Sequence, residues 1–501
     1  MSVRRPMAFV LVGATFVLGC KDETVEPLDI NGPPEAIVSA GGNDQSAPVG
    51  NELALPLSVR VTDADGRAVP AVGIAWVATG GTLSATADTT DENGTSSVRW
   101  LMPGAPAELT ATAVLPGIGE VQFTATALPL LADGELVFRT VDAGGFHACG
   151  ITISDERVCW GYNADGQLGG AAGPPSFYPM HVEDSTTGGN NRFRLVSNGW
   201  YHGCAVDFAL EVFCWGENRD LRGLDNFLAS FQDVDAGLTH SCGITIARDV
   251  ACWGYSLQGQ VGDGALDEVA DSAVIVGSNY ASVSAGGQHT CAIQTDGDLF
   301  CWGYNADGQV GTGGAGGQVN FPTAVLTGLD YLAEPVTTPP SPDPDQPLPP
   351  GPYVSAGYAH SCAIATSGAA YCWGLNGGGQ LGDGSTTRRT APAAVAGGLL
   401  FVRISAGLEH TCALTAAGEI YCWGDNTWGQ LGDGGTGDQS APVLVQAPGG
   451  AAFAWVSAGE NHSCGVTTAG VAYCWGDNHY GQLGTGTNES SNVPVKVALQ
   501  P

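Results

Sequence analysis

Apolar and polar positions along this chain are organised in short runs, and one pair of runs recurs seven times. Thr290-Cys291-Ala292-Ile293 and Leu299-Phe300-Cys301-Trp302 are typical of it, each followed by a glycine-rich turn. Runs this short, apolar on both faces, predict strands stacked between neighbouring sheets. The copies place His-x-Cys at His147 and Cys149, His202 and Cys204, His240 and Cys242, His289 and Cys291, His360 and Cys362, His410 and Cys412, and His462 and Cys464. Each is answered, ten residues after its cysteine, by Cys-Trp-Gly beginning at Cys159, Cys214, Cys252, Cys301, Cys372, Cys422 and Cys474. A period near 50 residues with two strand-like runs per unit is the signature of a closed propeller or a solenoid, and the number of copies favours a propeller.

If Cys291 pairs with Cys301, the hairpin register closes on Gln294 and Asp298 around Thr295-Asp296-Gly297. A three-residue loop wants a left-handed residue last, which Gly297 supplies, as do Gly368, Gly418 and Gly470 in later copies. Asp155, Leu210 and Arg248 stand there in the first three copies, so those turns must differ or tolerate strain. Counting back from the turn puts the two cysteines at a non-hydrogen-bonded pair, where side chains come closest and a disulfide is sterically reasonable. The constant spacing extends the same pairing to every copy: Cys149 with Cys159, Cys204 with Cys214, Cys242 with Cys252, and so on through Cys362 with Cys372 to Cys464 with Cys474.

The unit A-G-x-x-H-x-C followed by C-W-G-x-N-x-x-G-Q-L-G, as in Ala406 to Cys412 and Cys422 to Gly432, resembles the repeat of the regulator of chromosome condensation family. That resemblance spans residues 136–501 and implies a seven-bladed β-propeller. Copy two departs from it, because Glu217 to Arg222 replaces the Gly-Gln-Leu-Gly loop and the next His-x-Cys follows after only 38 residues. A truncated or irregular blade is expected there. Between copies four and five, the proline-dense segment 335–352 reads as a surface insertion. Val493 to Leu499 looks like a strand without a blade and Glu135 to Arg139 opens a blade lacking one, so the two are expected to close the ring together.

Ahead of the repeats the texture changes. Residues 33–128 hold no cysteine, and alternating runs such as Leu53 to Val61 lie between turns at Asp65-Gly66 and Asn93-Gly94, which predicts a β-sandwich. Val61 to Gly66, Gly80 to Leu83 and Thr90 to Gly94 resemble bacterial Ig-like domains of the invasin/intimin kind, which implies a stalk. Asp63, Asp65 and Asp91 could bind calcium or simply build turns. Residues 1–19 read as an export signal, with Arg4 and Arg5 before an apolar run. Val17-Leu18-Gly19-Cys20 resembles a bacterial lipobox, which would make Cys20 the lipidated first residue, with 20–32 as an acidic tether. The apolar run is too short to span a bilayer, so the expected attachment is by lipid alone.

Composition sharpens the functional reading. Of 15 cysteines, 14 fall in the seven pairs and the odd one is Cys20, which suits an oxidising compartment with one disulfide per blade. The alternative, zinc held by each His-Cys-Cys set, would need seven identical three-ligand sites. No metal or other cofactor is expected. Lys21 and Lys496 are the only lysines, which excludes a P-loop, and neither H-E-x-x-H nor G-x-S-x-G occurs. A histidine recurring in every copy points to a structural hydrogen bond. Carboxylates are abundant without any pair standing out, so glycosidase chemistry stays open. Loss of residues 1–19 leaves 15 basic against 50 acidic residues, a balance that repels nucleic-acid phosphates.

These readings describe an all-β, non-enzymatic protein of the bacterial cell envelope, periplasmic or surface-exposed, whose propeller binds a protein or glycan. The alternatives are an envelope polysaccharide-active enzyme and a structural spacer. Strand order puts the A-G-x-x-H and N-x-x-G-Q connections on one face. Their variable positions, Phe146, Trp200, Tyr201, Leu238, Tyr358 and Leu408 in the first and Leu257, Trp428 and Tyr480 in the second, are the candidate partner-binding residues. Trp200 and Tyr201, adjacent in the chain, are the hardest pair to bury together.

Overall fold

The recurring hairpin forms the middle two strands of a sheet, and seven sheets built on it occur among the described residues. The computed structural model describes residues 32–43, 45–48, 53, 56–103, 107–128, 136–169, 172–173, 175–181, 192–217, 230–267, 270–333 and 353–498. Cys20 with the signal and most of the tether, the 335–352 insertion and most of the divergent loop of copy two lie outside them. The chain forms two compact units.

The N-terminal unit follows the alternating pattern. Ala36–Gly41, Leu57–Thr62 and Thr95–Val98 form one sheet, and a second places Gly119–Leu128, Ala107–Leu115, Gly73–Ala78 and Ala87–Thr89 side by side. Leu57, Val59 and Val61 point inward, as do Ile74 and Trp76 of the second sheet. Trp76 packs its ring 5.7 Å from Phe123 and lies 3.2 Å, through Nε1, from Ser96 Oγ. The candidate calcium carboxylates are used in turns. Asp63 accepts from the amides of Gly32, Asp65 and Arg67, which hold its carboxyl below the usual range, and Asp91 accepts from Asn93 and Thr95.

In the larger unit the first sheet runs Phe138–Ala143, His147–Thr152, Arg157–Gly161, Ser176–His181, and the last runs Phe453–Ala458, His462–Thr467, Ala472–Gly476, Ser491–Lys496. The second sheet has three described strands, Phe193–Asn198, His202–Asp207 and Val212–Gly216. Cysteines face each other in every hairpin with Cα atoms 4.0 to 4.1 Å apart, and each facing pair is disulfide-bonded. In the first four sheets Cys149 is bonded to Cys159, Cys204 to Cys214, Cys242 to Cys252 and Cys291 to Cys301. In the last three Cys362 is bonded to Cys372, Cys412 to Cys422 and Cys464 to Cys474, so no bridge joins one sheet to another.

The turn is the same throughout: Gly297 N–H donates to Gln294 O, and Asp155, Leu210 and Arg248 make the equivalent bond. Those three residues adopt φ of 68°, 66° and 64° without being glycine. Such a conformation costs about 1 kcal/mol or more. For Asp155 two guanidiniums, of Arg139 and Arg192, hold the side chain in place.

One expectation is corrected. Ser491–Lys496 is the fourth strand of the last sheet, paired with Ala472–Gly476, and Phe138–Ala143 pairs within the first sheet, so the two ends share no sheet. They meet instead in one apolar cluster, where Val497, Leu483 and Trp455 pack with Phe138, Val141 and Trp160. Beside that cluster, backbone bonds join the two sheets, from Phe138 N–H to Gly470 O and from Glu460 N–H to Gly144 O.

The repeat's polar residues hold sheet to sheet. His240 Nε2 lies 2.8 Å from Thr290 Oγ1 of the following sheet, and His289, His360 and His410 reach Ser361, Thr411 and Ser463 in the same way. Each of those hydroxyls donates its one proton to a glutamine carbonyl, Gln260, Gln309, Gln380 or Gln430. The histidine must therefore be the donor through its Nε2–H, and burial, which lowers each of these rings to about 3, keeps it neutral. The same carbonyls accept from the Trp302, Trp373, Trp423 and Trp475 indoles. Copy two lacks that glutamine, and Trp253 Nε1 has no partner among the described residues.

At the junction of last and first sheets the hydroxyl position is Ala148, and both ring nitrogens of His462 lack a partner among the described residues. Gln482 O there accepts from Trp160 Nε1. Ala148→Ser should complete the junction and stabilise the protein by about 1 kcal/mol, read as a raised urea midpoint at constant m. Gly203→Ser, at the corresponding position of the second sheet, should do the opposite, because its Cβ would meet Trp215 at 2.7 Å. An unchanged or lowered midpoint for Ala148→Ser would show that the junction is satisfied in another way.

Candidate protein-binding face

The two motif loops of each sheet are tied together. The residue after Cys-Trp-Gly donates its amide to the carbonyl of the residue before the histidine in all seven copies, from Tyr162 N to Phe146 O through Asp477 N to Asn461 O. Both loops therefore lie at one end of the sheets, and the Cys-to-Cys turn lies at the other.

At that end a chain of amides runs around the rim. The first variable residue of each A-G-x-x-H loop donates to the motif glycine of the next sheet, as Trp200 does to Gly237 and Tyr358 to Gly407, and Glu460 donates to Gly144 of the first sheet. One layer deeper, Ser197, Ser284, Ser355, Ser405 and Ser457 accept from the next sheet's amide, and Asp142 and Asp235 take that place in the first and third sheets. Both carboxylates are also hydrogen-bonded by a serine, Ser457 and Ser197 respectively. Burial raises both, Asp142 to about 7. These strands line a central cavity of about 160 Å³, with Trp200, Leu238 and Tyr358 at its rim.

The candidate residues differ in what covers them. Trp200 stacks on Tyr358 of the fifth sheet, ring centroids 5.6 Å apart, so Trp200 is half-buried while Tyr358 stays 40% exposed. Phe146, Tyr162 and Tyr480 form a triad with centroids 4.9 to 6.2 Å apart, joining the seventh sheet to the first. Trp428 lies edge-on to His479, 4.9 Å away. Leu238 and Leu408 are half-buried, while Leu257 is exposed. Trp200 and Tyr201 are each half-buried, neither of them fully covered. Trp200 finds its cover on the fifth sheet. Tyr201 is turned toward other groups, and burial followed by Glu460, Glu217 and Asp165 raises its hydroxyl.

The carboxylates are the feature that sequence reading missed. Glu409 and Glu460 stand at variable loop positions, and both are raised by burial, Glu460 to about 7 with Asp477 adding to the shift. A search restricted to aromatic residues passes over them, although lining up the seven loops would have shown them in the same columns.

Comparison with known proteins bears on this geometry. Two models of the regulator of chromosome condensation (RCC1) repeat match, one at residues 367–414 and 417–466, the other at 280–309, 353–380, 401–430 and 456–482. The chain carries RCC1 repeats. Human WBSCR16 superimposes with a TM-score of 0.55 at 22% identity, over 70% of this chain and 93% of that one. Prp20p from Saccharomyces cerevisiae, studied for its binding to Gsp1p and histones, gives 0.56 at 19%, over 68% and 86%. At such identities the likeness is one of fold, an RCC1-like β-propeller. The ultraviolet-B receptor UVR8 of Arabidopsis thaliana is 28% identical over 147 residues, 29% of this chain, which spans about a third of that relative's length.

Proposed function

We propose that this protein is a lipid-anchored binding module of the bacterial envelope, in which a seven-bladed propeller over 136–501 captures a protein partner on the face carrying Trp200, Tyr201 and Tyr358. An Ig-like sandwich over 33–128 serves as its stalk, on a tether that begins at Cys20. The observation that carries the reading is the division of labour in the repeat. Histidines, tryptophans and glutamine carbonyls of the motif are consumed in joining neighbouring sheets and the cysteines in bridging each hairpin, while the variable loop positions converge on one rim with aromatic rings still partly exposed. RCC1-like propellers in general bind proteins, and Prp20p is one example. Buried aromatic anchors ringed by polar groups are what protein interfaces use.

The runner-up, a polysaccharide hydrolase or lyase, needs carboxylates free to reach substrate. The two in the inner layer each hold a backbone amide of the next sheet, which favours a structural role for them.

The test is crosslinking capture from intact cells with the full chain and with a Trp200→Ala, Tyr201→Ala, Tyr358→Ala variant. Aromatic hot spots contribute about 2 kcal/mol or more each, so the variant should lose about 30-fold or more in affinity for the captured partner. Unchanged capture by a variant that unfolds as cooperatively as the parent would move the site elsewhere. A glycan in place of a protein among the captured species would correct the partner class.

A further inference from the structure

Building on that reading, we infer that the partner offers a lysine or arginine side chain, and that it is received in the sector of the rim between Glu460 and Tyr201. Rim position by rim position, the first variable residue is Gly145, Trp200, Leu238, Gly287, Tyr358, Leu408 and Glu460. Glu460 is the one charged residue in that set, and its neighbour around the ring is Gly145, against which Trp200 of the second sheet packs closely. A Cβ at Gly145 would meet Trp200 at 3.1 Å. Glu460 lies within electrostatic reach of Tyr201, one sheet beyond Gly145.

Glu460 is not satisfied by the described residues. Its Oε2 is buried and has no hydrogen-bond partner among them, and Oε1 makes a long contact of 3.4 Å from Asn461 Nδ2. A buried carboxylate oxygen without a donor is a destabilising feature that a ligand cation would relieve. The groups acting here are mainly carboxylates: Asp477, which is paired with His479, acts on Glu460 itself, while Glu217 and Asp165 join it around Tyr201. Beside them the Phe146, Tyr162 and Tyr480 rings stand edge to face, Tyr480 being 40% exposed. Carboxylates together with ring faces suit a cation on an aliphatic stem, since the stem lies on the aromatic surface and the charged head pairs with the acid. An anionic partner would meet this sector and a net charge of −33 together.

The test uses the full chain and three labelled hexapeptides, hexa-arginine, hexaglutamate and a Gly-Ser repeat, titrated by fluorescence anisotropy in 150 mM salt. Hexa-arginine should bind and the other two should not. Glu460→Gln should weaken hexa-arginine binding tenfold or more and Tyr480→Ala severalfold. Asp307→Asn, which removes a carboxylate from a loop of the fourth sheet that pairs with Arg388, should change it less than twofold. Glu460→Gln should also leave the urea midpoint unchanged or raised, because an unpartnered buried charge is removed. Equal weakening by Glu460→Gln and Asp307→Asn would mean diffuse attraction and overturn the assignment, as would absence of hexa-arginine binding to the parent. Loss of partner capture in the Trp200, Tyr201 and Tyr358 triple variant alongside either result would keep the binding face and discard only the basic sector.

Discussion

Acidification from pH 7 to 4 is expected to unfold the propeller, with the loss of stability driven by the seven motif histidines. Burial lowers all seven, to about 3 for His147, His240, His289, His360 and His410 and to about 4 for His202 and His462. The folded chain thus binds fewer protons than the unfolded chain below the ordinary value of 6.5. Their contribution is complete above pH 6.5 and disappears as pH falls toward 3. Raised carboxylates oppose them. Asp142, Asp233 and Glu460, each pushed to about 7, contribute stability below their ordinary values that is lost as pH rises through 7, and Asp235 and Glu409 shift the same way. The seven lowered histidines outnumber the raised carboxylates, so unfolding takes up protons in this range and stability falls as pH falls. Urea unfolding between pH 4 and 6.5 measures the slope. His360→Gln should flatten it by about 1.4 kcal/mol per pH unit and Asp142→Asn should steepen it by a similar amount. Slopes that move in the opposite directions would show that these groups do not govern the transition.

Those histidines also mark how far the sequence could be read. The hairpin register, the cysteine pairing and the left-handed last residue of the turn are local, and Gln294, Gly297 and Asp298 announce them within five residues. What His360 touches is not local. Thr411 lies 51 residues away, and the hydroxyl between histidine and cysteine reads as filler until the seven copies are set side by side. The same holds for the layer of Ser197, Ser284, Ser355, Ser405 and Ser457, whose partners are always in another sheet. On the rim, loop order sorts residues to the correct end of the sheets, because strand direction alone decides that. It cannot show which ones cover each other. Trp200 meets Tyr358 three sheets away, a contact set by the size of the central opening and not by spacing in the chain. The same limit applies at the chain's closing strands, where an apolar run announces a strand but not the sheet it joins.

Reduction of the disulfides is expected to have the other large effect, and to begin in the second sheet. Each bridge closes a ten-residue separation, for which the chain-entropy account gives roughly 2.5 kcal/mol. Half the nominal total for seven, about 9 kcal/mol, is already comparable with the whole stability of an ordinary domain. A chain with this little charge and this much glycine has few other means of restricting its unfolded state, so the fully reduced protein should not remain folded at 37 °C. The bridges are not equally protected. Cysteines of the other six pairs, from Cys149 and Cys159 to Cys464 and Cys474, are fully buried, whereas Cys214 is half-buried, in a sheet with three described strands. Access governs thiol exchange, so a brief pulse of reductant followed by alkylation should label Cys204 and Cys214 before any other pair. A Cys204→Ala, Cys214→Ala variant should lose about 2 to 3 kcal/mol, against similar or larger losses for Cys412→Ala, Cys422→Ala, where two fully buried side chains also leave a cavity. First labelling at Cys412 and Cys422, or full stability after complete reduction, would mean that packing of Trp423 and its counterparts holds the ring without the bridges.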